Sequence, residues 1–302
     1  MAQKGPVLIT GIQGQVGYEI SKRLVTSEHV FGFNRLELDL TRPEQIKKKV
    51  NEVHPHWLIN LAAYTAVDKA EIEQECAFAV NAYGPEALAY ALMEQRTGWL
   101  FQVSTDFIFD GLRGIPYQTT DAANPTGVYG ASKAEGESRV RGILPNRHII
   151  LRTAWVYSAH CNNFVKTMLR LMAERDEVRV VADQIGTPTW AGSLAEAIIH
   201  MISVIDAHPQ PELLAGTYHF TDAGTASWYD FAVAIAEEAM NLGFPIRAKI
   251  TPIRTRDYPT QARRPHYSVL DKTKTWDCFG LLPVHWRENL RRMLESCIAR
   301  ME

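Results

Sequence analysis

The chain has 302 residues, of which 46% are apolar and 22% charged, with a formal net charge of −2. This is ordinary globular composition, so one large α/β unit with a sizeable core is expected and extensive disorder is not. A balanced charge without a basic block excludes the electrostatic footprint of a nucleic-acid binder. No apolar run reaches the roughly 18 residues of a membrane span, and the start "MAQKGPVLITG" runs straight into a strand-like segment instead of a signal h-region. A cytoplasmic location is the resulting expectation. Cys76, Cys161, Cys278 and Cys297 are too scattered for a zinc site or a disulfide framework, and the ten histidines show no ligand spacing.

Short apolar runs alternate with helical patterns through the first half. "VLIT" (7–10) precedes a helical segment that opens at Gly14 and carries Val16, Ile20 and Leu24. "VFGF" (30–33), a helix over 43–53, "WLINLAA" (57–63), helices over about 68–95, "WLFQVST" (99–105), a helix over about 129–142 and "HIILRT" (148–153) follow in turn. Runs that are apolar at every position imply strands covered on both faces, as in a parallel sheet. Their alternation with helices implies a doubly wound βαβ arrangement. Beyond residue 153 the regularity breaks. Residues 162–189 read as helix, strand and loop, 190–205 as helix, 216–222 as strand, and 227–240 as a helix capped by Ser227. The stretch 253–271, rich in proline and arginine, has surface-loop composition.

Four stretches carry chemistry. "TGIQGQVG" (10–17) places Gly11, Gly14 and Gly17 between the first strand and the first helix. Glycines there allow a tight turn and let the backbone approach a pyrophosphate at the positive end of the helix, so Gly11, Gln13, Gly14, Gln15 and Val16 are candidate dinucleotide contacts. The second strand ends in Asn34 and Arg35 instead of the acidic residue an NAD-selective site uses for the ribose hydroxyls. Arg35 can pair with a 2′-phosphate, which favours NADPH and leaves NADH as the alternative. Asp39 and Leu40 stand where the adenine is expected. The third strand ends in Leu61, Ala62, Ala63 and Tyr64, whose small alanines leave room for a ribose. The fourth strand ends "VSTDFIFDG" (103–111), at the carboxyl edge where open α/β sheets hold ligands.

Tyr129 precedes Lys133 by four residues, so the two share one helix face. An ammonium beside a phenol favours the phenolate and lowers its pKa, which suits proton donation to a carbonyl. Tyr-x-x-x-Lys alone is common, but a dinucleotide turn, a strand-end hydroxyl at Thr105 and the right chain order make it a catalytic pattern.

Together these stretches resemble the extended short-chain dehydrogenase/reductase superfamily. With "YTAVDKAE", "RTAWVY", "DQIGTPT" and "RRPHYSVLD" they are similar to the dTDP-4-dehydrorhamnose reductase family over about residues 6–295. Phe107 and Ile108 stand where that family usually has tyrosine and valine. The resemblance implies a Rossmann-type α/β fold, with residues 1–153 as the NAD(P)-binding domain and further sheet and helix elements returning from about 180–225. Residues from about 154–302 would be mainly a nucleotide-sugar-binding lobe. It also implies NADPH-dependent reduction of the C4 ketone of a dTDP-sugar. Tyr129 would be the general acid, Lys133 would tune the phenol and hold the nicotinamide ribose, and Thr105 would polarise the carbonyl. Thr105, Asp106, Phe107, Trp155, Asn163, Gln184, Thr187 and Arg264 match positions near the sugar nucleotide. Some family members have Mg2+ at a homodimer contact, but nothing here places its ligands. The acidic run 68–75 reads as the wet face of a helix. Two alternatives remain open: a 4-ketoreductase for another dTDP-6-deoxyhexose, and a regulatory subunit resembling the β-subunit of methionine adenosyltransferase, which lacks catalysis.

Overall fold

The computed structural model describes residues 5–24, 29–282 and 284–298, so the first four residues of the N-terminal run lie outside it. In chain order the first half contains β1 (Val7–Thr10), α1 (Gln15–Leu24), β2 (Val30–Phe33), α2 (Pro43–Val53) and β3 (Trp57–Asn60). It continues with α3 (Val67–Ala70), α4 (Gln74–Phe78), a π-helical turn (Ala79–Tyr83), α5 (Gly84–Gln95), β4 (Trp99–Thr105), α6 (Val128–Ile143) and β5 (His148–Thr153). The second half contains β6 (Val156–Tyr157), α7 (Phe164–Glu174), β7 (Glu177–Val181), β8 (Ile185–Gly186), β9 (Thr189–Trp190) and α8 (Ala191–Ala207). Then come β10 (Gly216–His219), β11 (Ala226–Ser227), α9 (Trp228–Asn241), β12 (Lys249–Ile253), α10 (Thr273–Phe279) and α11 (Trp286–Ile298).

Six strands form one parallel sheet in the order β10-β5-β4-β3-β1-β2. β1, β3 and β5 are buried at every position because helices cover both faces. The strand period of two sorts the side chains between those faces. Leu8, Leu58 and Leu100 pack with Ile46 and Val50 of α2, Leu88 and Leu92 of α5, and Val140 of α6. Ile9, Ile59, Phe101, Ile149 and Leu151 pack on the other side with Ile20 of α1 and Leu194, Ile198 and Met201 of α8. From β1 the chain runs to β2 on one flank and then to β3 on the other, so a crevice opens at their carboxyl ends. A separate apolar cluster joins α7, α9 and α11 through Leu169, Phe231, Ile235, Leu290 and Met293.

Ser227 caps α9 as expected, and Asp230 completes a reciprocal capping box. The stretch 253–271 departs from its surface composition. Ala262, Ser268, Val269 and Leu270 are buried, and bridges pair Leu270 with Tyr117 and Tyr267 with Ile185. Among the described residues no helix is long and apolar enough to cross a membrane.

Polar groups also cross the core. Thr10 Oγ1 donates to Asn60 Oδ1 (2.5 Å), and Asn60 Nδ2 donates to Gln102 Oε1 (2.7 Å), linking β1, β3 and β4 beneath the crevice. The Arg152 guanidinium on β5 donates to both carboxylate oxygens of Glu137 on α6, at 2.7–3.2 Å. Burial pushes the Glu137 carboxyl up, but Arg152 outweighs burial and leaves it below the ordinary carboxylate range. That pairing is therefore intact above the unfolded-state pKa and is lost as pH falls through the lower native one. Glu137→Ala strands a buried guanidinium and is expected to cost about 3–5 kcal/mol, measured as a lower urea midpoint at pH 7.

Candidate active site

The first turn leaves β1 at Gly11, whose φ of +69° is left-handed. A Cβ there would stand 2.7 Å from the Ala62 backbone nitrogen, so only glycine lets the ends of β1 and β3 come this close. Gly14 N donates to Gly11 O at 2.9 Å, closing the turn immediately before α1. Gly11, Gly14, Gln15 and Val16 line a cleft of about 750 Å³ at the carboxyl edge of the sheet. Free N–H groups and the positive helix end suit a pyrophosphate in such a cleft.

Beside β2, Arg35, Leu38, Asp39 and Leu40 continue the wall, and Leu61, Ala62, Ala63 and Tyr64 face them from β3. Asn34 instead shapes the turn, its Oδ1 accepting from Leu36 N at 2.8 Å and Glu37 N at 3.3 Å. Burial pushes the Asp39 carboxyl up, but the Thr41 donors together with Arg35 and Arg42 outweigh it, so it stays ionised. Gln13 is exposed, and its carbonyl accepts from His160 Nε2 at 3.1 Å. Gln13 and Asn34 are thus the two candidate cofactor residues that do not line the cleft.

Thr105, Tyr129 and Lys133 meet where β4 ends against α6, and all three line the cleft. Gly130 makes this approach possible, because a Cβ on it would lie 2.1 Å from the Phe107 carbonyl. The Thr105 hydroxyl is within hydrogen-bonding reach of the Tyr129 phenol and donates to Asp106 Oδ1 at 3.1 Å. Burial pushes the Tyr129 phenol up to about 12, with Thr105 working against it. Lys133 is 4% exposed and donates from Nζ to Val103 O at 2.7 Å. Burial brings its ammonium down to about 8, with Glu137 opposing. Thr105, not Lys133, is the neighbour that pulls the phenol down.

The residues expected near a sugar nucleotide divide into two groups. Asp106, Phe107 and Trp155 line the cleft with Thr105. Phe107 meets Tyr129 edge-on, with ring centroids 5.6 Å apart. Trp155 adopts a left-handed φ of 48° and stacks on Trp228 at 3.5 Å, a strained backbone held by packing. Asp106 is buried, which pushes its carboxyl up to about 6 against donors from Ser268 and Thr105. The other four are spoken for elsewhere. Asn163 caps α7 and donates to Gln15 Oε1 (3.0 Å) and Ser158 O (2.7 Å). Gln184 donates to Thr255 Oγ1 at 3.1 Å, and Thr187, fully buried, donates to Gly224 O at 3.0 Å. Arg264 pairs with Asp68 at 2.7 Å.

The acidic run 68–75 proves to be a junction and not simply a wet helix face. Asp68 binds Arg264, Glu73 accepts from the Tyr64 hydroxyl (2.8 Å), and Glu71 Oε1 accepts from Val128 N (2.9 Å) at the start of α6. Asn81, in the π-helical turn, accepts from Tyr64 N and donates to Tyr64 O and Ser132 Oγ, at 2.9–3.1 Å. It thereby ties the β3 end to α6. Nothing local in the sequence marks Asn81 or Glu71, because their partners lie 17 to 57 residues away. Among the described residues no group of three or more His, Cys, Asp or Glu is arranged to hold a metal ion.

Because burial lowers the Lys133 pKa, the native state binds fewer protons than the unfolded chain between pH 8 and 10.5, and this group adds stability as pH rises through that window. Lys133→Met, whose thioether has no charge to desolvate, is expected to melt no lower than the parent at pH 7. It should also lose that pH-dependent gain, both read by calorimetry. Residues 5–298 match the family model described as RmlD substrate binding domain. The dTDP-4-dehydrorhamnose reductase of Aggregatibacter actinomycetemcomitans is 41% identical, over 95% of this chain and 97% of its own. A crystal structure of the Clostridium acetobutylicum dTDP-4-dehydrorhamnose reductase is 39% identical with a TM-score of 0.88, covering 96% of this chain and 99% of that one. The Bacillus anthracis dTDP-4-dehydrorhamnose reductase, solved in complex with NADP, is 36% identical with a TM-score of 0.88, covering 97% of this chain and 100% of that one. The chain belongs to the RmlD substrate binding domain family, within the group of dTDP-4-dehydrorhamnose reductases.

Proposed function

We propose that the chain is an NADPH-dependent reductase that converts the C4 ketone of dTDP-4-dehydro-β-L-rhamnose to the alcohol of dTDP-L-rhamnose. The observation that carries this reading is the meeting of the Thr105 and Tyr129 hydroxyls beside buried Lys133, at one end of a dinucleotide-sized cleft. The close-packed glycine turn fits the cofactor's pyrophosphate, and Arg35 on the cleft wall fits its 2′-phosphate. Bound there, the nicotinamide would supply the hydride. Thr105 and Tyr129 both donate toward the ketone oxygen, where negative charge grows only as the reaction proceeds, so their effect falls on the transition state.

A phenol held near 12 remains protonated at neutral pH, so Tyr129 carries the proton it would deliver, though as a weaker acid than an ordinary phenol. Although burial brings its ammonium down to about 8, Lys133 stays mainly charged at neutral pH and is oriented by the Val103 carbonyl. The Thr105 hydroxyl is the neighbour that favours the phenolate left after proton transfer. Phe107 and Trp155 supply apolar walls for a deoxysugar ring, and Asp106 supplies an acceptor for one of its hydroxyls.

The assay is loss of 340 nm absorbance with NADPH, dTDP-glucose and the upstream dehydratase, with and without the epimerase. Turnover that requires the epimerase and yields dTDP-L-rhamnose supports the proposal. Turnover without it assigns the protein to a D-sugar ketone, and cofactor binding without turnover moves it to another nucleotide sugar or to the regulatory class. Tyr129→Phe is expected to lower kcat about 10²–10⁴-fold, or about 3–5 kcal/mol in barrier, with little change in NADPH affinity. Arg35→Ala is expected to weaken NADPH binding and leave NADH nearly unchanged, and equal losses would defeat the 2′-phosphate assignment.

A further inference from the structure

Thr153 closes β5 directly opposite Thr105, its register partner on β4. The side chain is 5% exposed and lines the cleft, yet its hydroxyl has no hydrogen-bond partner. Ser104 Oγ and Asp106 Oδ2 on the same cleft floor are likewise without a hydrogen-bond partner, but each lies near a polar side chain, Glu137 and Ser268 respectively. A buried hydroxyl without a partner destabilises a fold, and valine would fill the same space without that cost. The position therefore points to a partner that arrives with a ligand.

We propose that the Thr153 hydroxyl anchors the carboxamide of the nicotinamide ring. The assignment rests on the dinucleotide reading above. The cleft wall runs from Arg35 and Asp39 beside β2, across the glycine turn after β1, to the ends of β4 and β5. Gln15 Nε2 donates to Val156 O at 3.3 Å, so the segment following Thr153 borders the same helix that follows the glycine turn. A dinucleotide with its pyrophosphate at that turn reaches the β4–β5 edge with its nicotinamide end. Phe107, Thr153 and Trp155 all line this end of the cleft. Adjacent strands are about 4.8 Å apart, so Thr105 and Thr153 are separated by about the width of one six-membered ring. A hydroxyl both donates and accepts, matching the carboxamide's C=O and NH₂. Holding that group would fix the ring's rotation and hence the face turned towards the ketone beside Thr105 and Tyr129.

The test is calorimetric titration of wild type, Thr153→Val and Thr153→Ser with NADPH and with 2′-phospho-ADP-ribose, which lacks the nicotinamide. Thr153→Val should bind NADPH about tenfold more weakly and bind 2′-phospho-ADP-ribose as wild type does. Its ligand-free melting temperature should not fall, and Thr153→Ser should recover most of the NADPH affinity. Unchanged NADPH affinity in Thr153→Val overturns the assignment, as does an equal loss for both ligands. A wild-type protein that binds neither ligand overturns the cofactor reading and this assignment with it.

Discussion

The seating of helix α6 against the carboxyl end of β4 is the constraint on which the site depends. Gly130 lets the helix backbone press on the Phe107 carbonyl, and Lys133 Nζ donates to Val103 O. One turn further, Glu137 holds Arg152 of β5 in a buried pair. Glu71 closes the first turn of the helix from outside by accepting from Val128 N. These contacts place a phenol and an ammonium over the one strand whose end carries Thr105. Displacing the helix by a turn would scatter all three groups.

Burying that machinery has an energetic cost that the surrounding fold offsets. Lys133 has lost its water and is held by a single carbonyl, and the Tyr129 phenol is pushed towards its neutral form. Neither arrangement favours stability, since a buried ammonium with one partner is poorly compensated. What holds them is the apolar packing of α5 and α6 on the sheet, together with the Thr10–Asn60–Gln102 chain beneath the crevice. Residues that serve reactivity at the expense of local stability are common at catalytic centres.

The second half of the chain contributes position more than chemistry. Asn163 and Gln15 join the loop before α7 to the first helix, and Arg264 with Ala262 N joins the 253–271 stretch to Asp68. Asp68 and Glu71 are less than one helical turn apart, so one short segment grips both the far lobe and the start of the catalytic helix. This accounts for an acidic run that its composition alone presents as a solvated surface. It also explains why Arg264 is no free guanidinium: its fork is matched to a carboxylate within the chain.

Much of this was legible in the chain itself, and the physical reason is locality. Strand-length apolar runs, the glycine turn and the Tyr129–Lys133 spacing depend on neighbours a few residues away, so the parallel α/β sheet and the catalytic pattern can be read in order. Helix α11 has an equally local signal, with Trp286, Leu290, Met293, Leu294 and Cys297 buried at helical intervals. Which polar side chains face the cleft is a different matter. Asn163, Gln184, Thr187 and Arg264 match expected positions, but hydrogen bonds to distant segments occupy them. Asn81, Glu71 and the unpaired Thr153 hydroxyl stand out only once β3, β4, β5 and α6 are brought together. Composition and spacing determined the fold class and singled out the candidate reacting groups; the tertiary structure decided which polar atoms remained free for a ligand, because each such atom is free or taken according to partners far away in the chain.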